Sequence, residues 1–377
     1  MSEPPLIPQP PSAHMADPLE PLGNPLDEAR RQLAICNVCK YCNGFCPVFA
    51  AAEQRAGLSD GDLLHLAHLC HNCRNCWYAC QYAPPNPFAV NLPRALARVR
   101  MLTYRAYAWP GEVAGPGWLA LLLALAVPVL TVFLVPAEVL FASHQGPGAF
   151  YAVIPWGVLT GLAAVSLGGA LVMMAVGMAR YWRDTGGGSP LSALKALPRA
   201  LKAVALLKHM NGGGVGCNDV DGRFSRRRRW LHQSLLGGLL LCLAATLWAA
   251  AWHHFLGREA PYPLTSPPVL LGTVGGGLMT LGSAGLMWLK RRADPEPADS
   301  RAVRAEWSLL GQLLAVALSG LALLAWRDSA AMGLLLALHL GIVLGFFFAL
   351  PFGKLAHAPY RLLSLIRAVM DTRDPPP

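Results

Sequence analysis

Eight of the ten cysteines fall in one short stretch: Cys36, Cys39, Cys42 and Cys46 before Pro47, then Cys70, Cys73, Cys76 and Cys80. Three thiols at two-residue intervals, with a fourth three residues further on, form the ligand run of bacterial ferredoxins. There the first three thiolates wrap one cubane and the fourth reaches the other. The run occurs twice, which predicts two 4Fe-4S clusters with crossed ligation. Cys36, Cys39, Cys42 and Cys80 hold the first, and Cys46, Cys70, Cys73 and Cys76 hold the second. Structural zinc favours two CxxC pairs a dozen or more residues apart, and disulfides need an oxidising compartment. The second run is less regular, since Gln81 stands where the first has Pro47. That leaves open a three-iron cluster in place of the cubane that Cys80 would complete.

The elements around the runs read as helical. Residues 58–69 open with Ser59, a hydroxyl suited to an N-cap, and continue with Leu63, Leu66, Ala67 and Leu69 at helical spacing. A helical linker points to an α-helical ferredoxin-type domain over 27–105. Residues 88–105 set four arginines beside Leu96, Val99, Met101 and Leu102. They suit either an amphipathic helix leading onto a membrane or a solvated connector. Residues 1–26 are Pro-rich with no apolar core of a signal peptide, and read as a disordered tail.

The rest of the chain is membrane protein by composition. Hydrophobic residues make up 54% and charged residues only 14%, too apolar for an ordinary soluble domain. The apolar residues gather in six runs, 118–135, 156–178, 234–252, 269–289, 309–326 and 331–350, each long enough to cross a ~30 Å hydrocarbon core as helix. The fold expected is therefore mainly α, the ferredoxin-type domain followed by a six-helix transmembrane bundle over 106–377. Of the 31 Lys and Arg residues, 29 lie on one side of those spans. The positive-inside rule makes that side the cytoplasm, with both termini and the cysteines there, in the cytoplasmic (inner) membrane. The net charge of +10 is accounted for by this distribution, so no nucleic-acid partner is expected.

The long inner loop 180–232 has more than a connecting role. Its 191–210 segment sets Lys195, Arg199 and Lys202 opposite Leu194, Leu197, Leu201 and Val204, as in a helix lying on anionic lipid. The glycines Gly212, Gly213, Gly214 and Gly216 that follow stand between no strand and helix, so they read as a mobile docking loop rather than a dinucleotide site. Cys217 has no visible partner, and Cys242 reads as packing.

Histidines supply candidates for a second redox centre. His339 is an ionisable group inside the sixth run, a functional signal by default. At ~100° per residue, His232 and His254 on the third span return to nearly the same face, and His339 and His357 are five turns apart. Because these spans run in opposite directions, His254 or His253 shares the outer half with His339, and His232 shares the inner edge with His357. Paired imidazoles on facing helices grip a b-type haem from both sides.

With these features in place the chain resembles the tricarballylate utilisation protein B family, also called CitB-type proteins. Besides the cysteine runs, the resemblance rests on Cys70-His71-Asn72-Cys73, Cys80-Gln81-Tyr82-Ala83-Pro84-Pro85, the loop 212–218, and Arg228-Arg229-Trp230-Leu231-His232. It continues through 267–277, His339-Leu340-Gly341 and Pro351-Phe352-Gly353-Lys354. It implies an electron-transfer protein that reoxidises the flavin of a cytoplasmic partner dehydrogenase and passes electrons to the respiratory chain. The membrane half is similar to the gamma subunit of respiratory nitrate reductase, which implies haem. One departure is Gln233, where the family pattern has a second histidine. The reading is therefore flavoprotein, two clusters, haem, then quinone, with no substrate site of the chain's own. The rival readings are a redox-coupled membrane transporter, against which the spans lack buried charge pairs, and a cluster-based redox sensor, which needs an output module.

Overall fold

The computed structural model describes residues 23–55, 57–113, 116–210 and 214–372. The disorder expected for 1–26 falls, apart from its last four residues, outside the described residues, as do Gly212 and Gly213. Among the described residues the backbone is helical, with one isolated antiparallel bridge between Cys217 and Ser225.

Helix α1 (Pro25–Cys39) begins inside the stretch read as tail. Asn24 caps it, its Oδ1 accepting from Leu26 N at 3.1 Å, while Pro25 occupies the first turn and Asp27 and Glu28 complement the dipole. Then come α2 (Pro47–Glu53), α3 (Asp60–Leu69), α4 (Asn75–Tyr78) and α5 (Leu92–Ala106). The cap expected at Ser59 is present as a reciprocal capping box with Asp62. Helix α5 differs from expectation. It buries Leu92, Ala95, Leu96, Val99, Thr103 and Tyr104 against α1 and α3, so its apolar face is covered by protein and belongs to the core of the cysteine domain.

Six helices are long and apolar enough to cross a membrane: α6 (Pro116–Leu134), α9 (Trp156–Asp184), α11 (Arg227–Leu256), α12 (Pro267–Arg292), α13 (Ser300–Ala325) and α14 (Met332–Ala349). The chain is a multi-pass membrane protein. Between the first two lie α7 (Ala137–Leu140) and α8 (Ala149–Val153). Four spans run past the apolar stretches read from sequence, because their basic end turns stay helical.

The bundle is assembled through small residues. Gly341 and Gly345 of α14 lie against the backbone of α6 at Ala124 and Ala120. A Cβ at Gly238 of α11 would come 2.6 Å from Gly275 O of α12, and one at Gly282 would come 2.6 Å from Leu235 N.

Helices α10 (Pro190–Ala205) and α15 (His357–Asp371) complete the cysteine domain. Ala196 and Ala200 of α10, with Leu365 and Ile366 of α15, share one core with Leu33, Leu63, Leu66, Leu96 and Val99. The apolar stripe read on α10 is thereby divided. Leu197 and Val204 pack on this core, whereas Leu194 and Leu201 are exposed.

Candidate metal centre

The two cysteine runs are curled by left-handed residues. Lys40 (φ 55°) ends α1 between Cys39 and Cys42, and Asn72 (φ 54°) and Arg74 (φ 66°) flank Cys73. Each such residue turns the backbone so that successive thiols point inward rather than around a helix. Cys36, Cys39, Cys42 and Cys80, with Cys76, line a cavity of about 250 Å³ whose other walls include Phe49 and Leu92. Burial first, then the neighbouring thiols Cys42, Cys80 and Cys39, push Cys36 up to about 12. Burial, with Cys80 and Cys39 as the nearest like groups, pushes Cys42 up to about 11.

Cys46 stands at the N-cap of α2. Its thiol is pushed up by burial and by Cys70 and Cys73, against the pull of the Val48 and Phe49 N–H groups. Cys76 is raised by burial and by Cys73, Cys46 and Cys70. Cys46 has its electrostatic neighbours in the second run, and Cys80 acts on Cys36 and Cys42 of the first, but the two runs also meet, with Cys73 acting on Cys42 and Cys42 on Cys76. Among the described residues no three of His, Cys, Asp and Glu converge as ligands of a single ion. The first set instead rings a space large enough for a polynuclear group. Several buried thiols become ligands only when positive charge compensates their ionisation, as iron does. The residues fit iron-sulfur clusters, which when bound supply one-electron carriers.

Cys217 has the partner that the sequence did not show. Its thiol donates to Met210 O at 3.4 Å and is the group that most lowers the Cys73 thiol. Against burial, and with the Asn75 N–H and Arg228 acting the same way, it draws Cys73 down to about 7. The described part of the glycine loop is fixed here. Asn218 N donates to Cys73 O at 3.0 Å, Asn75 Nδ2 to Gly216 O at 3.1 Å, and Arg228 to Asn72 O and His71 O at 2.6 and 3.1 Å. Residues 214–218 form a cover on the second run, not the free docking loop expected.

Cys70 is bonded to the helix that follows the last membrane span. Its carbonyl accepts from Arg361 of α15 at 2.6 Å and from Arg100 of α5 at 3.4 Å. Beside it His68 is fully buried, ringed by Tyr104, Tyr181 and Tyr360 at centroid distances of 5.7, 5.4 and 5.5 Å. Burial, with Arg100 and Arg361 nearby, holds His68 well below its ordinary range. These residues escaped the sequence reading. The histidines of α3, His65 and His68, are three apart on its apolar face, which is the only local signal they give.

The histidines read as haem candidates are placed differently from one another. His357 Nδ1 lies 2.7 Å from Lys354 O, leaving Nε2 free. Burial, Arg361, Lys354 and His232 hold it well below its ordinary range, so it stays a neutral donor within electrostatic reach of His232. His339 Nδ1 meets Ser319 Oγ of α13 at 2.9 Å, again leaving Nε2. His253 stacks on Trp156 at 3.7 Å, while exposed His254 faces Phe255 edge-on. At this end of the bundle, then, each ring has its own neighbour. Gln233 ties α11 to α10 through Ala205 O at 2.8 Å. Glu306, just before the apolar run of α13, is ion-paired with Lys290 and, at 3.1 Å, with Lys354.

Comparison with known proteins agrees with this division. Residues 29–106 match the family model described as the Fer4-like domain of citrate utilization protein B, and residues 111–377 match the model for citrate utilization protein B itself. The citrate utilization protein B of Escherichia coli is 40% identical over an alignment of 361 positions that covers 93% of this chain and 94% of that protein. No solved structure matches the chain. A Fer4-like domain followed by six membrane helices, matched over nearly the whole length, places the chain in the citrate utilization protein B family.

Proposed function

We propose that this chain is the membrane electron conduit of a citrate or tricarballylate utilisation system. It takes electrons from a reduced flavoprotein dehydrogenase on the cytoplasmic side and delivers them to the quinone pool. Two 4Fe-4S clusters are held by Cys36, Cys39, Cys42 and Cys80 and by Cys46, Cys70, Cys73 and Cys76. A b-type haem is held by the inner pair His232 and His357 or by His339 with His253 or His254.

The observation that carries the reading is the bond of Arg361 to Cys70 O, with Arg100 beside it. Through it the second cysteine run is bonded to α15, the helix that follows the last membrane span after a short turn. The distribution of basic residues supports the cytoplasmic placement of the cysteine domain and of both termini.

Anaerobically purified protein should contain about eight irons and give two interacting EPR signals on reduction. Pyridine haemochrome should show b-type haem. Membranes should couple oxidation of the dehydrogenase's substrate to quinone reduction. Stoichiometric zinc, or four irons, rejects the two-cluster assignment.

A further inference from the structure

We propose that the cavity at the cysteine-domain end of the bundle, walled by α5, α13 and the facing ends of α6 and α14, is where a membrane quinone binds and is reduced. This rests on the electron-transfer reading above and assigns its terminal site. The cavity measures about 650 Å³, within the range of small-molecule sites. Trp118, Ser308, Gln312 and Phe346 in its lining belong to membrane helices. A water-insoluble quinone can therefore reach it from the lipid without crossing the cysteine domain.

Beside five charged side chains the wall carries Tyr104, Ser308 and Gln312, neutral polar groups that suit a flat ring with two carbonyl oxygens. Gln312 Nε2 donates to Ser308 Oγ at 3.3 Å. Tyr104 is 4% exposed, and its buried hydroxyl has no hydrogen-bond partner. An orphaned buried donor costs on the order of 1–3 kcal/mol, and a quinone carbonyl would satisfy it. Lys354 stands over the Tyr104 ring at 5.7 Å and pairs with Glu306 at 3.1 Å.

The same tyrosine and Cys70 share neighbours, since Arg100 and Arg361, which bond Cys70 O, both act electrostatically on Tyr104. Reduction adds two electrons and two protons to the quinone, forming two O–H bonds. The electrons are those the flavoprotein supplies, and the protons come from water on the cysteine-domain side. Lys354, its ammonium made more acidic by burial, is placed to pass them on. A phospholipid is the competing occupant, since Arg301 and Arg304 on the wall would hold its phosphate. It would leave the Tyr104 hydroxyl without a partner.

The test uses full-length protein in nanodiscs with a photoreactive azidoquinone, and a short-chain quinone as oxidant of the pre-reduced protein. The label should enter peptides within 101–118, 301–312 or 346–355. Ser308→Trp should raise KM for the short-chain quinone about tenfold, with iron content and EPR signals like wild type. Tyr104→Phe should raise it about threefold. A label found only elsewhere, or both variants matching a wild type that quinone does oxidise, overturns the site alone. A phospholipid lost from Ser308→Trp with quinone kinetics unchanged overturns it in favour of lipid. Wild-type protein that no quinone oxidises overturns the electron-transfer reading as well. If Ser308→Trp fails to fold, Tyr104→Phe and the wild-type label decide.

Discussion

Cys46 is the residue that separates crossed from sequential ligation. It follows the first run in sequence but sits among Cys70, Cys73 and Cys76. Cys46→Ser should therefore lower the iron content from about eight to about four and remove the EPR signal assigned to the second run. Loss of the other signal would show sequential ligation. His339 gives a second test, because Ser319 holds its Nδ1 and leaves Nε2 to a metal. His339→Ala should abolish or shift a b-type α-band, whereas Ser319→Ala should keep the haem and change its potential, as loss of a hydrogen bond behind a ligand does. An unchanged optical spectrum in His339→Ala removes this histidine from the haem proposal. The iron-sulfur character of the cysteine domain was readable because it is written in local spacing. Cys217 was not, because its contact with Cys73 is made by a loop more than a hundred residues away.

At the level of helices, the pairing of α11 with α12 depends on glycines that face backbone. Gly282→Val should cost about 1–3 kcal/mol as overpacking, read as earlier thermal unfolding in detergent. Gly277→Val, where a Cβ meets nothing within 4 Å, should behave like wild type. Equal losses in both would mean that helix propensity, not contact, decides. Asp62 plays the corresponding part for α15, accepting Arg55 at 2.9 Å and Arg367 at 3.1 Å while Arg55 also binds Asp371 at 2.6 Å. Burial acts to raise the Asp62 carboxyl, but Ser59, Arg55 and Arg367 outweigh it and lower it below 3.8. Its contribution is therefore complete above that pH and is lost only as pH falls through the lowered value. Asp62→Ala should leave Arg55 and Arg367 with Asp371 alone and make α15 accessible to trypsin at neutral pH. Resistance equal to wild type would show that apolar packing alone holds the helix.

Periodicity explains why α5 was half legible. A repeat of apolar residues tells that one face is covered, but lipid and protein cover it equally well. The membrane spans were plain from length and apolarity. Their packing partners were not, since a glycine stripe shows that something comes close without naming what.

On the scale of the molecule, the charge distribution predicts that the cysteine domain faces the cytoplasm. Protease added to right-side-out spheroplasts should leave 27–105 intact and cut there in inverted vesicles. The opposite pattern would reverse the membrane orientation and, with it, the side on which the dehydrogenase docks. Two halves could be read from sequence because cysteine spacing and hydropathy change abruptly near residue 106. Their fusion could not, because it depends on α10 and α15, amphipathic helices with no motif of their own.

That fusion sets an order of events during synthesis. The first five helices leave the ribosome before any span is inserted, but Leu365 and Ile366 fill their core, and Arg361 reaches Cys70 O only from α15. Until the sixth span is in place, one flank of the cysteine domain stays open to water.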